Sequence, residues 1–193
     1  YMNDTTYTQE VIHGDIHETN RVAAGLQSRD TAKTFCYAFL YGAGDAKIGS
    51  IVGGGAKQGR KLKEQFLRNT PSLKDLRERV IKAAGRGYVR GLDGRRIKIR
   101  SEHAALNSLL QGAGAVVMKQ ALIFMSERIE EVGLDAHLIG SIHDEYQWEV
   151  RTGQEEQAGD IMVQAIRDTT AALNLRCPLD AEYSIGSNWA DTH

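Results

Sequence analysis

Two cationic and two phenolic side chains recur at every fourth position of one segment: Arg29, Lys33, Tyr37 and Tyr41. In a helix, this spacing places them on a single ridge about 18 Å long. The cations come first, where the unpaired N–H groups of a helix start also favour an anion. The pattern predicts a ligand with phosphates at one end and a flat ring at the other, such as a nucleoside triphosphate. His17, on a preceding helix, would add a donor, and a solvated ridge without ligand is the alternative.

A second group of candidates is the run His143-Asp144-Glu145, which follows an apolar stretch typical of a buried strand. We expect it at the tip of a β-hairpin, where adjacent carboxylates are costly unless a cation meets them. Mg²⁺ typically combines one or two carboxylates with substrate phosphate oxygens. Neighbouring strand residues point to opposite faces, so only one carboxylate can face the metal, and we favour Asp144. An acidic turn in water is the alternative.

A third set of polar residues also recurs at every fourth position: His103, Asn107 and Gln111. The same segment otherwise carries leucines and valines at the positions of a buried helix face. Amide side chains on such a helix can donate to the acceptors that every base pair presents in the DNA minor groove. A polar helix face without a ligand is the alternative.

An α+β fold is expected to position these residues. The sequence predicts helices over 16–24, 29–41, 57–69, 71–84, 101–132 and 154–173, of which Asp15, Ser28 and Ser101 cap the first, second and fifth. It predicts a hairpin over 89–99 that turns on Asp93-Gly94, a second hairpin with strands over 137–142 and 146–150, and a last strand near 181–185. The glycine-rich segment 49–59 lacks the Gly-Lys-Ser/Thr of a P-loop and is expected to be a flexible connector.

The composition is that of a globular protein, with 193 residues, 41% hydrophobic and 25% charged. Net charge is −1, but residues 21–100 hold 19 Lys and Arg against 6 Asp and Glu, whereas residues 101–193 hold 5 against 15. This asymmetry indicates contact with a polyanion in one part and with cations in another, solvated surface charge being the alternative. No apolar run approaches the ~18 residues of a membrane span, so no membrane partner is expected. Cys36 and Cys177 are expected as reduced thiols, and the lack of Met at position 1 indicates a processed or excised piece.

Taken in order, these motifs resemble the C-terminal part of family A DNA polymerases, and most of all their T7-like phage members. The matching segments are Asp15-Ile16-His17, Arg29 to Gly42, Gly91 to Arg95, Arg100 to Gln111, His143-Asp144-Glu145, and the ending Asn188-Trp189-Ala190 with His193. Each motif is modest alone, but together they are specific and cover nearly the whole chain. The resemblance implies a right-hand polymerase, with helical fingers over 1–85 and part of an antiparallel-sheet palm over 86–193.

The resemblance also implies roles at the nucleotide. Arg29 and His17 would contact the outer phosphates of an incoming dNTP. Lys33 would bind the triphosphate and donate a proton to the leaving pyrophosphate. Tyr37 would pack on the sugar, and Tyr41 would stack beside the nascent base pair.

On the DNA and metal side, the resemblance implies that Asn107 and Gln111 read the minor groove of the primer-template. His103 would contact DNA at a position that is Arg in many cellular members. Asp144 would be a metal ligand, and both Asp144 and Glu145 would be catalytic residues. Glu145 and His143 would support the primer terminus and the site. The complete enzyme would use two Mg²⁺ ions for DNA-directed nucleotidyl transfer in the bacterial host cytoplasm.

The chain departs from the family in what it lacks. The first palm motif, whose Asp is the other shared metal ligand, would lie N-terminal to Tyr1, as would the sugar-gating Glu, the thumb and any exonuclease domain. With Asp144 alone, a second Mg²⁺ lacks adequate ligands, so we expect an active parent polymerase and an inactive isolated chain. Its partners would be primer-template DNA, dNTPs, the missing N-terminal portion and a processivity factor. The alternatives are a non-catalytic nucleotide- or DNA-binding half of a split polymerase, or a phage-type RNA polymerase, which usually carries Ser in place of Glu145.

Overall fold

The computed structural model describes residues 1–192; His193, part of the predicted chain ending, lies outside the described residues. The α-helices are α1 (Thr5–His13), α2 (Ile16–Ala24), α3 (Arg29–Leu40), α4 (Asp45–Ile51), α5 (Ala56–Asn69), α6 (Pro71–Ala84), α7 (Ala105–Val132), α8 (Glu155–Ala172) and α9 (Trp189–Thr192). The strands are β1 (Tyr88–Arg90), β2 (Arg96–Lys98), β3 (Ala136–Ile142) and β4 (Glu145–Val150). Every helix and both hairpins predicted from the sequence are present, which confirms the α+β class.

The first of two compact units spans residues 1–112, and its core is built around α3 and α5. The rings of Phe35 and Phe39 on α3 both meet Phe66 of α5 edge-on, with centroids 5.1 and 5.5 Å apart. T-shaped aromatic pairs are favourable beyond the area that they bury. These contacts therefore determine which face of α3 is buried and which face remains in solvent.

The second unit begins at residue 113 and, within the described residues, brings β4, α8 and the later part of α7 into one apolar cluster. Its buried side chains are Ala121, Met125, Ala165 and Ile166. β3 and β4 are antiparallel, with Ile142 opposite Glu145 at the turn. Tyr146 Oη donates to the Met118 carbonyl at 2.8 Å. This bond ties β4 to α7 close to the hairpin turn.

Three local features differ from the sequence predictions. The segment 181–185 forms no strand, because it pairs with neither sheet of the described chain. Ser101 stands at an N-cap position, but its side chain makes no capping hydrogen bond. The sequence prediction does not include α1, none of whose residues is fully buried. Asp4 begins that helix by accepting a hydrogen bond from the Tyr7 amide.

Two glycines of segment 49–59 serve packing, and the connector between helices is shorter than predicted, covering residues 52–55. Helix α4 already occupies the start of this segment and α5 its end. Gly49 and Gly59 are buried between the two helices. A Cβ on Gly59 would overlap the Asp45 carbonyl oxygen, and a Cβ on Gly49 would overlap that of Gly55. Only glycine allows the two backbones to approach so closely.

The long helix α7 and the short segment before it differ from the expectation that no part of the chain could span a membrane. By length and apolar composition, Glu102–Val132 is able to cross a membrane, although it contains no continuous apolar run of that length. Of its most apolar window, 17% is buried within the described residues. Leu109 lies in the core of the first unit and Met125 in that of the second, so the helix also has a packing role.

Replacing Gly59 by Ala should lower the free energy of unfolding by about 1–3 kcal/mol, the usual range for overpacking. Gly114→Ala is the matched control, because Gly114 also lies inside a helix but a Cβ there would meet no atom within 4 Å. There, the higher helix propensity of Ala should add about 0.5–1 kcal/mol. Urea unfolding followed by circular dichroism measures both changes. Equal gains in both variants would contradict the packing role of Gly59.

Candidate functional site

Helix α3 is divided lengthwise into a buried and an exposed face. Ser28 begins the helix, because its side chain accepts a hydrogen bond from the Thr31 amide. The buried face consists of Ala32, Phe35, Cys36 and Phe39. Burial raises the pKa of the Cys36 thiol to about 12, so it stays protonated, and it forms no disulfide with Cys177. The other face of α3 and its C-cap carry the predicted ridge.

The later part of the ridge is aromatic and exposed. The rings of Tyr37 and Tyr41 are stacked, with centroids 6.4 Å apart and planes inclined by 16°. They are 49% and 55% exposed. Lys33, one turn earlier, is exposed and forms no ion pair with any of residues 1–192. The ridge thus offers an unpaired ammonium followed by a flat aromatic surface.

The first ridge residue, Arg29, is held by a carboxylate. Its Nε donates to Asp15 Oδ2 at 2.7 Å. Oδ1 of Asp15 accepts from the His17 and Glu18 amides at 3.0 and 3.1 Å, which caps α2 as predicted. The hydrogen bond of Arg29 in the described chain uses Nε, so both terminal nitrogens remain available to an anion. The same hydrogen bond is the main reason that the pKa of Asp15 is lowered.

His17 links the Asp15–Arg29 pair to the aromatic part of the ridge. Its ring centroid lies 6.4 Å from that of Tyr37, with the planes tilted by 51°. Nδ1 of His17 is buried and has no hydrogen-bond partner among the described residues. A buried polar atom without a partner is unfavourable, so a ligand or water is expected at this nitrogen.

The end of the ridge meets the predicted polar row. Gly42 has φ +78°, and a Cβ there would lie 2.8 Å from the carbonyl oxygen of His103. Glycine is therefore needed for this approach, which brings the residue after Tyr41 against His103. Asn107 follows, and its buried Oδ1 has no partner in the part of the chain that is described. Gln111 is exposed one turn further on.

The β3–β4 turn is shorter than predicted. It contains only His143 and Asp144, because Glu145 already belongs to β4 and pairs with Ile142. His143 has φ +54°, the left-handed conformation that tight hairpin turns use and that His adopts more often than most residues. Asp144 is exposed at the tip. Of the two adjacent carboxylates, Asp144 alone stands outside the strand.

Glu145 is engaged within the sheet. The side-chain amide of Gln147, two residues further along the same strand, donates to Glu145 Oε1. The side-chain oxygen of Gln147, Oε1, accepts from Thr192 Oγ1 at 3.4 Å, so helix α9 contacts this part of β4. The two carboxylates therefore have different surroundings, with Asp144 in solvent and Glu145 in a hydrogen-bonded chain.

The donors at this turn fit part of a metal site. No group of three His, Cys, Asp or Glu side chains able to hold a metal comes together within residues 1–192. Mg²⁺ keeps several waters and takes one or two protein carboxylates, so the exposed Asp144 suits one ion. Two ions bridged by shared carboxylates need more donors than this turn supplies.

Comparison with known proteins agrees with the motifs. The model of DNA polymerase family A matches residues 8–191. The DNA-directed DNA polymerases of Enterobacteria phage T3 and Escherichia phage T7 are 43% and 42% identical to the chain, each over 97% of it and 30% of their own length. That of Escherichia phage Phieco32 is 42% identical over 97% of the chain and 32% of its own length.

Among solved structures, the POL domain of Pol1 from M. smegmatis, in complex with DNA primer-template and dNTP, has the same fold. The TM-score is 0.78 at 21% identity, over 94% of this chain and 35% of that chain. The chain belongs to DNA polymerase family A, as the motifs predicted. This membership contradicts the alternative of a phage-type RNA polymerase. The chain spans about a third of the length of its phage relatives.

Two supporting contacts have no clear signal in the sequence. Asp15 is recognisable as a helix cap, but its bond to Arg29 joins two helices and residues 14 positions apart. Gln147 is recognisable only in retrospect as a partner of Glu145, since alternate residues of a strand share a face. Both contacts hold candidate site residues in place.

Replacing Arg29 by Ala should raise the pKa of Asp15 toward its ordinary value, because the Arg29 hydrogen bond is the main cause of the lowering. The native pKa is depressed, so the pair stabilises the fold above the ordinary Asp pKa and stops doing so as pH falls through the native value. Carbon-detected NMR titration of the Asp15 carboxyl group measures the change.

Arg21→Ala is the matched control for this titration. Arg21 pairs with Glu18 at 2.7 Å, so its loss should raise the pKa of Glu18 and leave that of Asp15 nearly unchanged. An Asp15 pKa that is the same in the wild type and in Arg29→Ala would show that the pair does not form in solution.

Proposed function

We propose that this chain supplies the nucleotide-binding fingers and part of the catalytic palm of a template-directed DNA polymerase. In this reaction the primer 3′-hydroxyl attacks the α-phosphate of a dNTP, which adds one dNMP and releases pyrophosphate. The exposed ridge of α3 carries the proposal, because its cations and rings occur in the order of a triphosphate and a nucleoside. Membership of family A and the polymerases among the relatives support it.

The triphosphate would lie along the start of the ridge. Arg29, held through Nε, can present both terminal nitrogens to phosphate oxygens in a bidentate contact. His17 would add a ring nitrogen to the same outer phosphates. Lys33 would add a point charge one turn later and, as general acid, transfer its proton to the leaving pyrophosphate. Tyr37 would then meet the sugar.

The DNA would be read by the polar row that follows the ridge. Gln111 and Asn107 would face the minor groove, and the unpartnered Oδ1 of Asn107 suits the amino group of guanine, the donor in that groove. His103 would contact the primer-template DNA beside them. Tyr41 would lie beside the nascent base pair, and His143 would support the primer terminus.

We propose that Asp144 supplies one ligand to Mg²⁺ in the complete enzyme. When bound, such ions would supply activation of the attacking hydroxyl and would offset charge on the transferred and leaving phosphates. Asp144 is suited to this role because its carboxylate is exposed on a tight turn, while Glu145 stabilises the adjoining strand. A two-ion site would need carboxylates beyond those at this turn, so the isolated chain should not polymerise DNA.

A half of a split polymerase is the second candidate. The lone exposed carboxylate at the β3–β4 turn favours it, because binding of dNTP and DNA would then reside in this chain and the missing ligands in another. In either case an N-terminal polymerase portion is a required partner and a processivity factor an additional one. Since the relatives are phage enzymes, we propose the bacterial host cytoplasm as the compartment.

Primer extension with Mg²⁺ tests the proposal. Three samples are compared: this chain, the N-terminal portion of a T7-like polymerase, and the two together, with a fusion of both as positive control. We expect extension by the mixture or the fusion and none by either part. Extension by this chain alone would refute the argument from missing carboxylates, whereas an inactive but folded fusion would refute the assigned function.

In the active fusion, Lys33→Ala should lower the single-turnover rate of incorporation by about 100-fold or more, the usual contribution of a general acid. Affinity for the primer-template should change little, because Lys33 faces the nucleotide. Lys82→Ala is the control, since Lys82 is an exposed lysine on another helix, α6. A Lys33→Ala enzyme as fast as Lys82→Ala would show that α3 is not the nucleotide-binding helix.

A further inference from the structure

The hairpin β1–β2 carries a cationic surface that neither the ridge nor the polar row uses. Val89 is buried in the first core, and Ile97, its partner across the strands, packs on that core. Because strand residues alternate between faces, the residues on either side of this pair share the outer face. They are Tyr88, Arg90, Arg96 and Lys98.

Two guanidinium groups lie over the ring of Tyr88. The Cζ atoms of Arg96 and Arg86 are 4.8 and 5.8 Å from the ring centroid. Cation–π contacts of this kind hold the guanidinium planes beside the ring. The outer face therefore presents an aromatic and cationic stack on a rigid hairpin.

The cations of this face have no counter-charge within the described part of the chain. Arg90 and Arg96 stand directly opposite each other in the register, where like charges destabilise a pair of strands. Asp93, the carboxylate at the turn, is bonded to Arg95. Among residues 1–192, no ion pair forms with Arg86, Arg90, Arg96 or Lys98. An external anion between Arg90 and Arg96 would relieve the repulsion.

We propose that this outer face binds single-stranded nucleic acid. A phosphate would lie between Arg90 and Arg96, and a base would stack against the Tyr88 ring and its neighbouring guanidinium groups. Aromatic rings among cations bind single strands of any sequence, because every unpaired base has a face to stack. A duplex or an acidic peptide would match the charge but would leave the ring unused. The residues of this face are not among those proposed to bind dNTP or the minor groove, and binding to them does not require the polymerase reaction.

Fluorescence anisotropy of labelled dT12 with the 193-residue chain, without metal or dNTP, tests this site. The double variant Arg90→Ala/Arg96→Ala should bind about tenfold more weakly. For this variant, the slope of log binding constant against log salt concentration should be less steep by about 0.7, the contribution of one single-strand phosphate. Tyr88→Ala should weaken binding about fivefold or more, whereas Tyr88→Phe, which keeps the ring, should bind like the wild type.

A charge-matched control removes two cations from α6. Lys74 and Arg79 are exposed and pair with Glu78 and Asp75, so Lys74→Ala/Arg79→Ala should change affinity less than about twofold. A duplex probe should be insensitive to Tyr88→Ala, and polyglutamate of equal charge should compete poorly. Photo-crosslinking of an oligonucleotide that contains 5-iodouracil should label Tyr88.

Several results would overturn the proposal. These are wild-type affinity in the Arg90/Arg96 double variant, equal weakening by the α6 control, stronger binding of duplex or polyglutamate than of dT12, or crosslinks confined to other elements. Urea midpoints establish that each variant is folded. Failure of primer extension would bear only on the polymerase function, because this assay contains neither metal nor dNTP.

Discussion

The packing of Phe35 and Phe39 on Phe66 determines what the first unit can present to solvent. Burying one side of α3 leaves residues of the opposite side exposed, since a helix repeats every 3.6 residues. Rotating α3 by one residue, roughly 100°, would bury a cation or expose a phenylalanine, and both are unfavourable. The cationic and aromatic ridge is therefore a consequence of how the aromatic core is filled.

Buried polar atoms that have no hydrogen-bond partner among the described residues also lie beside the ridge and in the polar row. A well-satisfied fold pairs its buried polar atoms, so exceptions indicate ligands or strain. His17 Nδ1 lies beside the ridge and Asn107 Oδ1 in the polar row. Each coincides with a group proposed to face nucleotide or DNA. Trp148 Nε1 in the second core also has no hydrogen-bond partner among residues 1–192, and nothing in the structure explains it.

The sequence was sufficient for features that depend on local pattern. The ridge, the Ser28 cap and the turn at Asp93-Gly94 follow from residue spacing and turn chemistry. Prediction failed where segments distant in sequence meet. Segment 181–185 has strand-like residues but pairs with neither hairpin of the described chain. Gly49 and Gly59 were assigned to a connector, but they lie where α4 and α5 are in close contact. Asp15 makes one contact of each kind. Its capping of α2 is local and predictable, whereas its hydrogen bond with Arg29 joins two helices and is not.

The proposed binding of a triphosphate to the exposed face of α3 depends on Lys33 and Arg29. Its most direct test is NMR of the isolated chain with ¹⁵N-labelled lysine and arginine side chains, titrated with dNTP and separately with dNMP. We expect dNTP to shift the Lys33 and Arg29 signals saturably, dNMP to shift them far less, and the Lys82 signal to stay in place. Shifts that appear at other lysines while Lys33 and Arg29 remain unchanged would contradict it.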